Sequence, residues 1–180
     1  MNKHLIWFRA DLRAIDNTAL FMACQNRDAQ VIAIYFFFFF QWQQHHVAGC
    51  RVEFELNTLR QLSIDLQQLG IPLIVLNTTN FDSQITDLVI FCQQQQITKV
   101  FYNKQYEINE KQRDAKVEQK LQLQNIAYHA FDDQCVVAPR QILTQDGRFY
   151  SVFTPIKKAW LQYIQLYGFK VLPAPTARTT

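Results

Sequence analysis

The sequence predicts an α/β fold, a parallel sheet covered by helices on both faces. Three observations carry this. Short apolar runs alternate with helical patterns five times along the chain. The runs are solidly apolar rather than alternating, as in strands buried on both sides. At 180 residues, with 49% hydrophobic and 14% aromatic residues, the chain suits one ordinary domain with a substantial core.

The strands are expected at His4–Phe8, Val31–Tyr35, Leu73–Leu76, Lys99–Tyr102 and Ile126–Phe131. The first helix is capped by Asp16 or Asn17 and turns Ala19, Leu20, Ala23 and Cys24 inward. The next carries Val52, Leu56, Leu59, Leu62, Leu66 and Leu69, and Gly70 stops it, with Pro72 beyond. Asp82 is expected to cap a third, with Ile85, Leu88, Val89 and Cys92 at i, i+3, i+4, i+7 spacing. A polar helix covers roughly 107–124. The last opens at Thr154-Pro155, a cap residue before a first-turn proline, and presents Ile156, Trp160, Ile164 and Tyr167 before Gly168. The tail PAPTARTT reads as a linker.

Net charge is only +3, with no Lys/Arg block longer than two, so this segment offers no electrostatic case for nucleic acid. Cys24, Cys50, Cys92 and Cys135 are far apart, which suits reduced thiols of a cytoplasmic protein better than a disulfide pair or a metal site. The amino terminus has no secretory apolar region, and the longest apolar run, Val31 to Phe40, falls short of a membrane span.

A ligand of an open parallel sheet binds beyond the carboxyl ends of its strands, where the strand order reverses. Here the loops are 9–15, 36–46 and 103–109. None carries a glycine-rich dinucleotide or P-loop signature, which disfavours those phosphate sites. Loop 9–15 gathers Arg9, Asp11 and Arg13, read as a loop tied by ion pairs. Asn109 and Glu110 open the helix after strand four. Two readings of Glu110 stand: a carboxylate favoured by the helix N-terminus, or an acceptor for a flat ligand with adjacent N–H donors, such as a pterin edge. Glu110, Asp114 and Glu118 repel one another at i, i+4 spacing, which the first reading leaves unexplained. His45 and His46 follow strand two without a third metal ligand at useful spacing.

Five consecutive phenylalanines, Phe36–Phe40, follow the second strand. Neither a strand nor a helix can turn five successive rings toward one core. Some of them must meet solvent, a ligand or another piece of protein.

The run WFRADLRAIDNTAL (7–20) resembles the amino-terminal motif of the DNA photolyase/cryptochrome family. FYNKQYEINEKQRD (101–114), GIPL (70–73), FDD (131–133) and YSVFTPIKKAW (150–160) resemble its later landmarks, in order. The resemblance covers nearly the whole chain and is nearest the bacterial folate-class cyclobutane pyrimidine dimer photolyases. In them the matching segment is a Rossmann-like antenna domain, which implies a doubly wound five-stranded sheet of order 3-2-1-4-5. The antenna domain would span 1–172 and an interdomain linker would start at 173–180. The FAD-binding and DNA-binding helical domain, which does the repair chemistry, lies outside this segment, so the segment alone is expected to be inactive. Two alternatives stand beside the photolyase reading: the antenna-type domain of a cryptochrome photoreceptor, which signals rather than repairs, and a stand-alone α/β ligand-binding module. The resemblance also implies a methenyltetrahydrofolate antenna contacted by His45, Asn109 and Glu110. The partners expected are the chain's own carboxyl-terminal helical domain and, through it, damaged DNA; the isolated segment is expected to self-associate. Phe36–Phe40 replaces the family's usual proline-containing polar loop, while Gln41-Trp42 stays in register.

Overall fold

The computed structural model describes residues 2–44 and 46–178. Five strands, β1 (Lys3–Phe8), β2 (Gln30–Phe37), β3 (Leu73–Asn77), β4 (Lys99–Asn103) and β5 (Ala127–Phe131), form one sheet in the order β3-β2-β1-β4-β5. Every pairing is parallel. The helices are α1 (Thr18–Ala23), α2 (Phe39–Gln44), α3 (Gly49–Gln68), α4 (Phe81–Gln94), α5 (Ile108–Leu123) and α6 (Phe153–Tyr167). The predicted sheet and its strand order are those observed.

The period of two along β1 and β2 divides the core into two layers. Leu5, Trp7, Ile32, Ile34 and Phe36 meet Ile85, Leu88 and Cys92 of α4 and Val117 and Leu121 of α5. Ile6, Phe8, Val31, Ala33 and Tyr35 meet Ala19, Leu20 and Ala23 of α1 and Leu59, Leu62 and Leu66 of α3. The strand order reverses between β1 and β4, so their carboxyl ends diverge into a crevice.

Several local expectations change. Of the two candidate caps of α1, Asn17 is the one used, accepting from the Leu20 N–H at 3.0 Å. Asn80, not Asp82, caps α4, accepting from the Ser83 N–H at 2.9 Å. Asp82 sits in the first turn, where a negative charge suits the helix dipole, and takes Lys116 at 2.9 Å. Helix α6 begins at Phe153 with Val152 as its cap residue and no side-chain cap bond, so Thr154 is already helical. The phenylalanine run is not one loop. Phe36 and Phe37 extend β2, pairing with Leu76 and Asn77, and Phe39 starts α2. Alternation buries Phe36 in one core layer and sets Phe37 against the other, while Phe39 and Phe40 are about half exposed.

The tail read as a linker lies on the domain. Leu172 and Asp16 exchange two hydrogen bonds at 2.9 Å. The Arg178 N–H donates to the Leu69 carbonyl at 3.0 Å, and its guanidinium donates to the carbonyls of Cys24, Asn26 and Ala29.

Candidate functional site at the carboxyl ends of the strands

Loop 9–17 leaves β1 and is knotted in place. Asp11 accepts from the Arg9 N–H at 2.8 Å and from the Asn103 amide at 2.7 Å. Arg13 pairs with Asp133, which also accepts from the Thr18 N–H at 3.1 Å. Of the three residues expected to tie this loop by ion pairs, Arg13 does so with Asp133 and Arg9 with Asp114, whereas Asp11 holds it by hydrogen bonds from a backbone N–H and side-chain amides.

Beneath this loop two guanidiniums share one oxygen. Arg9 Nη1 lies 2.7 Å and Arg113 Nη2 2.8 Å from Asp114 Oδ1. Both cations also lie over the buried Trp7 ring, at 4.6 and 4.9 Å from its centroid. Burial pulls the Arg113 pKa below the usual guanidinium range, and the neighbouring Arg9 charge adds to the shift. Asp114 thus answers two cations at once, and Asp11, Glu55 and Glu110 add carboxylates to the lining of the same crevice.

Above them opens a cavity of about 600 Å³. Tyr35, Phe36, Phe38, Trp42, Phe54 and Phe81 give it an aromatic wall, and Arg9, Arg13, Arg51 and Arg113 also line it. Phe38 meets Phe81 edge-on, and Phe37 meets Trp42 edge-on, so the wall is braced from the phenylalanine run. Gln84 lines the cavity with its Oε1 buried and without a protein partner.

Glu110, in the first turn of α5, lines the same cavity and is half-buried. The crowding of Glu110, Asp114 and Glu118 is relieved by separate partners: Asp114 takes the two guanidiniums, and Glu118 accepts from the Tyr102 hydroxyl. Among the described residues, no donor bonds the Glu110 carboxylate. Asn109 is exposed on the same turn and is not among the residues lining the cavity. His45 lies outside the described residues; Trp42 and Val47, on either side of it in sequence, line the cavity. Sequence reasoning did not find Gln84, Phe81 or the burial of Asp114. Gln84 is a polar residue on the buried side of α4, a signal visible only once that face is known.

Residues 4–177 match the family model described as DNA photolyase. The chain belongs to the DNA photolyase family. It is 39% identical over 180 residues to the deoxyribodipyrimidine photo-lyase of Salmonella typhimurium and 37% identical to that of Escherichia coli, covering all of this chain and 38% of each relative. A cryptochrome from Synechocystis superposes with a TM-score of 0.84 at 19% identity, covering 99% of this chain and 37% of that one. A class III photolyase from Agrobacterium tumefaciens gives 0.72 at 22%, covering 100% and 36%. These two structures speak to the fold alone. This photolyase-family chain thus spans well under half the length of the curated relatives it matches. Among the described residues no group of three or more His, Cys, Asp or Glu gathers to hold a metal, and no helix is long and apolar enough to cross a membrane.

Proposed function

We propose that this chain is the antenna-chromophore domain of a deoxyribodipyrimidine photolyase, a lyase that uses light to split ultraviolet-induced pyrimidine dimers in DNA. The observation that carries the site is Glu110: a half-buried carboxylate lining an aromatic cavity, with no protein donor among the described residues. A pterin offers a ring N–H and an amino group side by side, and a carboxylate accepts both together. Such charge-assisted bonds contribute about 1.5–3 kcal/mol each. The donor set therefore suits methenyltetrahydrofolate. Glu110 would hold the pterin edge, with Asn109 from the exposed side of the same turn and His45 as further contacts. When bound, the folate absorbs near-ultraviolet light and passes the excitation energy on. FAD, the dimer-splitting chemistry and the contact with damaged DNA are assigned to a helical domain following this one. Agreement with relatives named as photo-lyases along the whole chain supports repair over signalling.

The test uses the full-length gene product. Glu110→Ala should weaken folate binding about tenfold or more, because about 1.4 kcal/mol is a factor of ten, and the purified variant should show a lower near-ultraviolet antenna absorbance than the parent. Repair under direct flavin excitation should persist. Unchanged folate content would reduce Glu110 to a carboxylate serving its helix terminus.

A further inference from the structure

Gln84 is a polar residue in an apolar position. It stands near the start of α4, on the buried side with Ile85, Leu88 and Cys92, and is 2% exposed. An amide buried there without a partner costs stability, and a leucine or methionine of similar size would not. Among the described residues, four buried side-chain atoms lack a hydrogen-bond partner: His4 Nε2, Trp7 Nε1, Arg9 Nε and Gln84 Oε1. Of these four residues, Arg9 and Gln84 line the cavity. Arg9 is committed to the protein, with Nη1 on Asp114, Nη2 on the Asn103 carbonyl and its plane over Trp7 and Tyr102. Gln84 Oε1 is therefore the orphaned acceptor of the cavity wall.

The cation beside α4 does not serve it. Arg113 lies over Phe81, one turn before Gln84, but its Nη2 donates to Gln105 at 2.9 Å and to Asp114 at 2.8 Å. Glu110 brings a second acceptor to the same cavity from α5, which lies with α4 in one layer of the core. Two acceptors on neighbouring helices, with no donor to either among the described residues, call for a ligand that supplies the donors.

We infer that Gln84 is a specificity-determining residue of the chromophore site and reads the N1 and 2-amino edge of the pterin, while Glu110 takes the N3 and 2-amino edge. The 2-amino group carries two hydrogens, one toward each side. Glu110 accepts one of them together with N3–H. Gln84 Oε1 accepts the other, and Gln84 Nε2 donates to N1, the paired donor and acceptor that a side-chain amide offers. Every polar group at that end of the ring is then matched. A 2,4-dione ring would set a carbonyl oxygen against both acceptors, so the pair selects a 2-amino-4-oxo ring. The inference rests on the folate reading of the site and adds to it the residue that reads the second edge.

The experiment uses the full-length gene product stripped of folate. Methenyltetrahydrofolate is titrated back and followed by its near-ultraviolet absorbance, and the folate-free protein is unfolded in urea. Gln84→Met should weaken folate binding about tenfold, the loss of two neutral hydrogen bonds. Its folate-free urea midpoint should equal or exceed the parent's, because the substitution removes an orphaned acceptor and keeps the volume. A purely structural amide, held by a buried water, predicts the reverse: a lower midpoint and unchanged folate affinity. A second ligand tests the parent without any substitution. The 1-deaza analogue, with C–H in place of N1, should bind the parent about threefold or more weakly than the folate, the worth of one hydrogen bond, and Gln84→Met should bind the two alike. Equal folate affinity in parent and variant, or equal affinity of the parent for both ligands, would overturn the role of Gln84 and leave the folate reading standing. A parent that takes up no folate would overturn both.

Discussion

Arg9 and Asp114, 105 positions apart in sequence, meet at 2.7 Å under the crevice, and Arg113 approaches the same carboxylate oxygen at 2.8 Å. The contact joins the carboxyl end of β1 to helix α5, across the place where the strand order reverses. It closes the cavity from below and fixes two of the four arginines that line it, Arg9 and Arg113.

Asp114→Ala should therefore be among the most damaging single changes outside the apolar core. It leaves two buried guanidiniums facing each other without an anion. The expected loss is about 3–5 kcal/mol, measured by urea unfolding. A loss below about 1 kcal/mol, the range of exposed pairs, would mean that water already screens this cluster.

Gly70 ends α3 with φ at +71°, and a Cβ built there would stand 2.6 Å from the Arg178 carbonyl oxygen. Gly70→Ala meets both a left-handed backbone and a backbone clash. The expected loss is about 1–3 kcal/mol. Limited proteolysis should at the same time cut the variant faster within 172–178. A variant as stable and as resistant as the parent would show that the tail contributes nothing at this point.

His4 is buried beside Phe101, and its Nδ1 donates to the Ala23 carbonyl at 2.8 Å, leaving Nε2 without a partner. Burial lowers its pKa from 6.5, partly opposed by the Ala23 bond, and the positive charges of Lys99 and Arg178 lower it further. The unfolded chain thus takes up this proton first as pH falls. The His4 contribution is fully present above about pH 6.5 and is lost progressively as pH drops toward the folded-state pKa. Urea midpoints measured from pH 7.5 downward should show this decline, and His4→Phe should flatten it. An equal slope in the variant would assign the decline to other groups.

The four cysteines should separate by reactivity. Cys50 and Cys135 are exposed, whereas Cys92 is fully buried and its thiol is pushed up to about 12 by desolvation. In a native thiol titration with a chromogenic disulfide, Cys50 and Cys135 should react first and Cys92 only after denaturant is added. Early labelling of Cys92 would show that the α4 layer opens readily.

The sequence by itself marked the five strands and five of the six described helices, but not α2, which opens inside the phenylalanine run. Those features are set by local periodicity and chain stops. A solidly apolar run such as Leu5–Phe8 has few alternatives to a doubly buried strand, and Gly70 supplies the left-handed residue that ends α3. It also marked Glu110, because a carboxylate in a first turn with like charges one and two turns on invites a second explanation. Tertiary structure alone decided the rest. Whether Asp114 repels its neighbours or is held by two arginines depends on β1 and β4 lying side by side in parallel, a pairing no local pattern states. The division of Phe36–Phe40 between two core layers, a cavity wall and solvent depended on how far β2 continued alongside β3. The capping of α4 by Asn80 was a choice between two capable residues two positions apart; Asn80 holds the extended backbone of the cap position, while Asp82 is already in the first helical turn. Gln84 became a buried, unpartnered acceptor only when α4 laid that side against the sheet. Hydrophobic period is a property of neighbours along the chain; charge pairing and cavity shape are properties of neighbours in space.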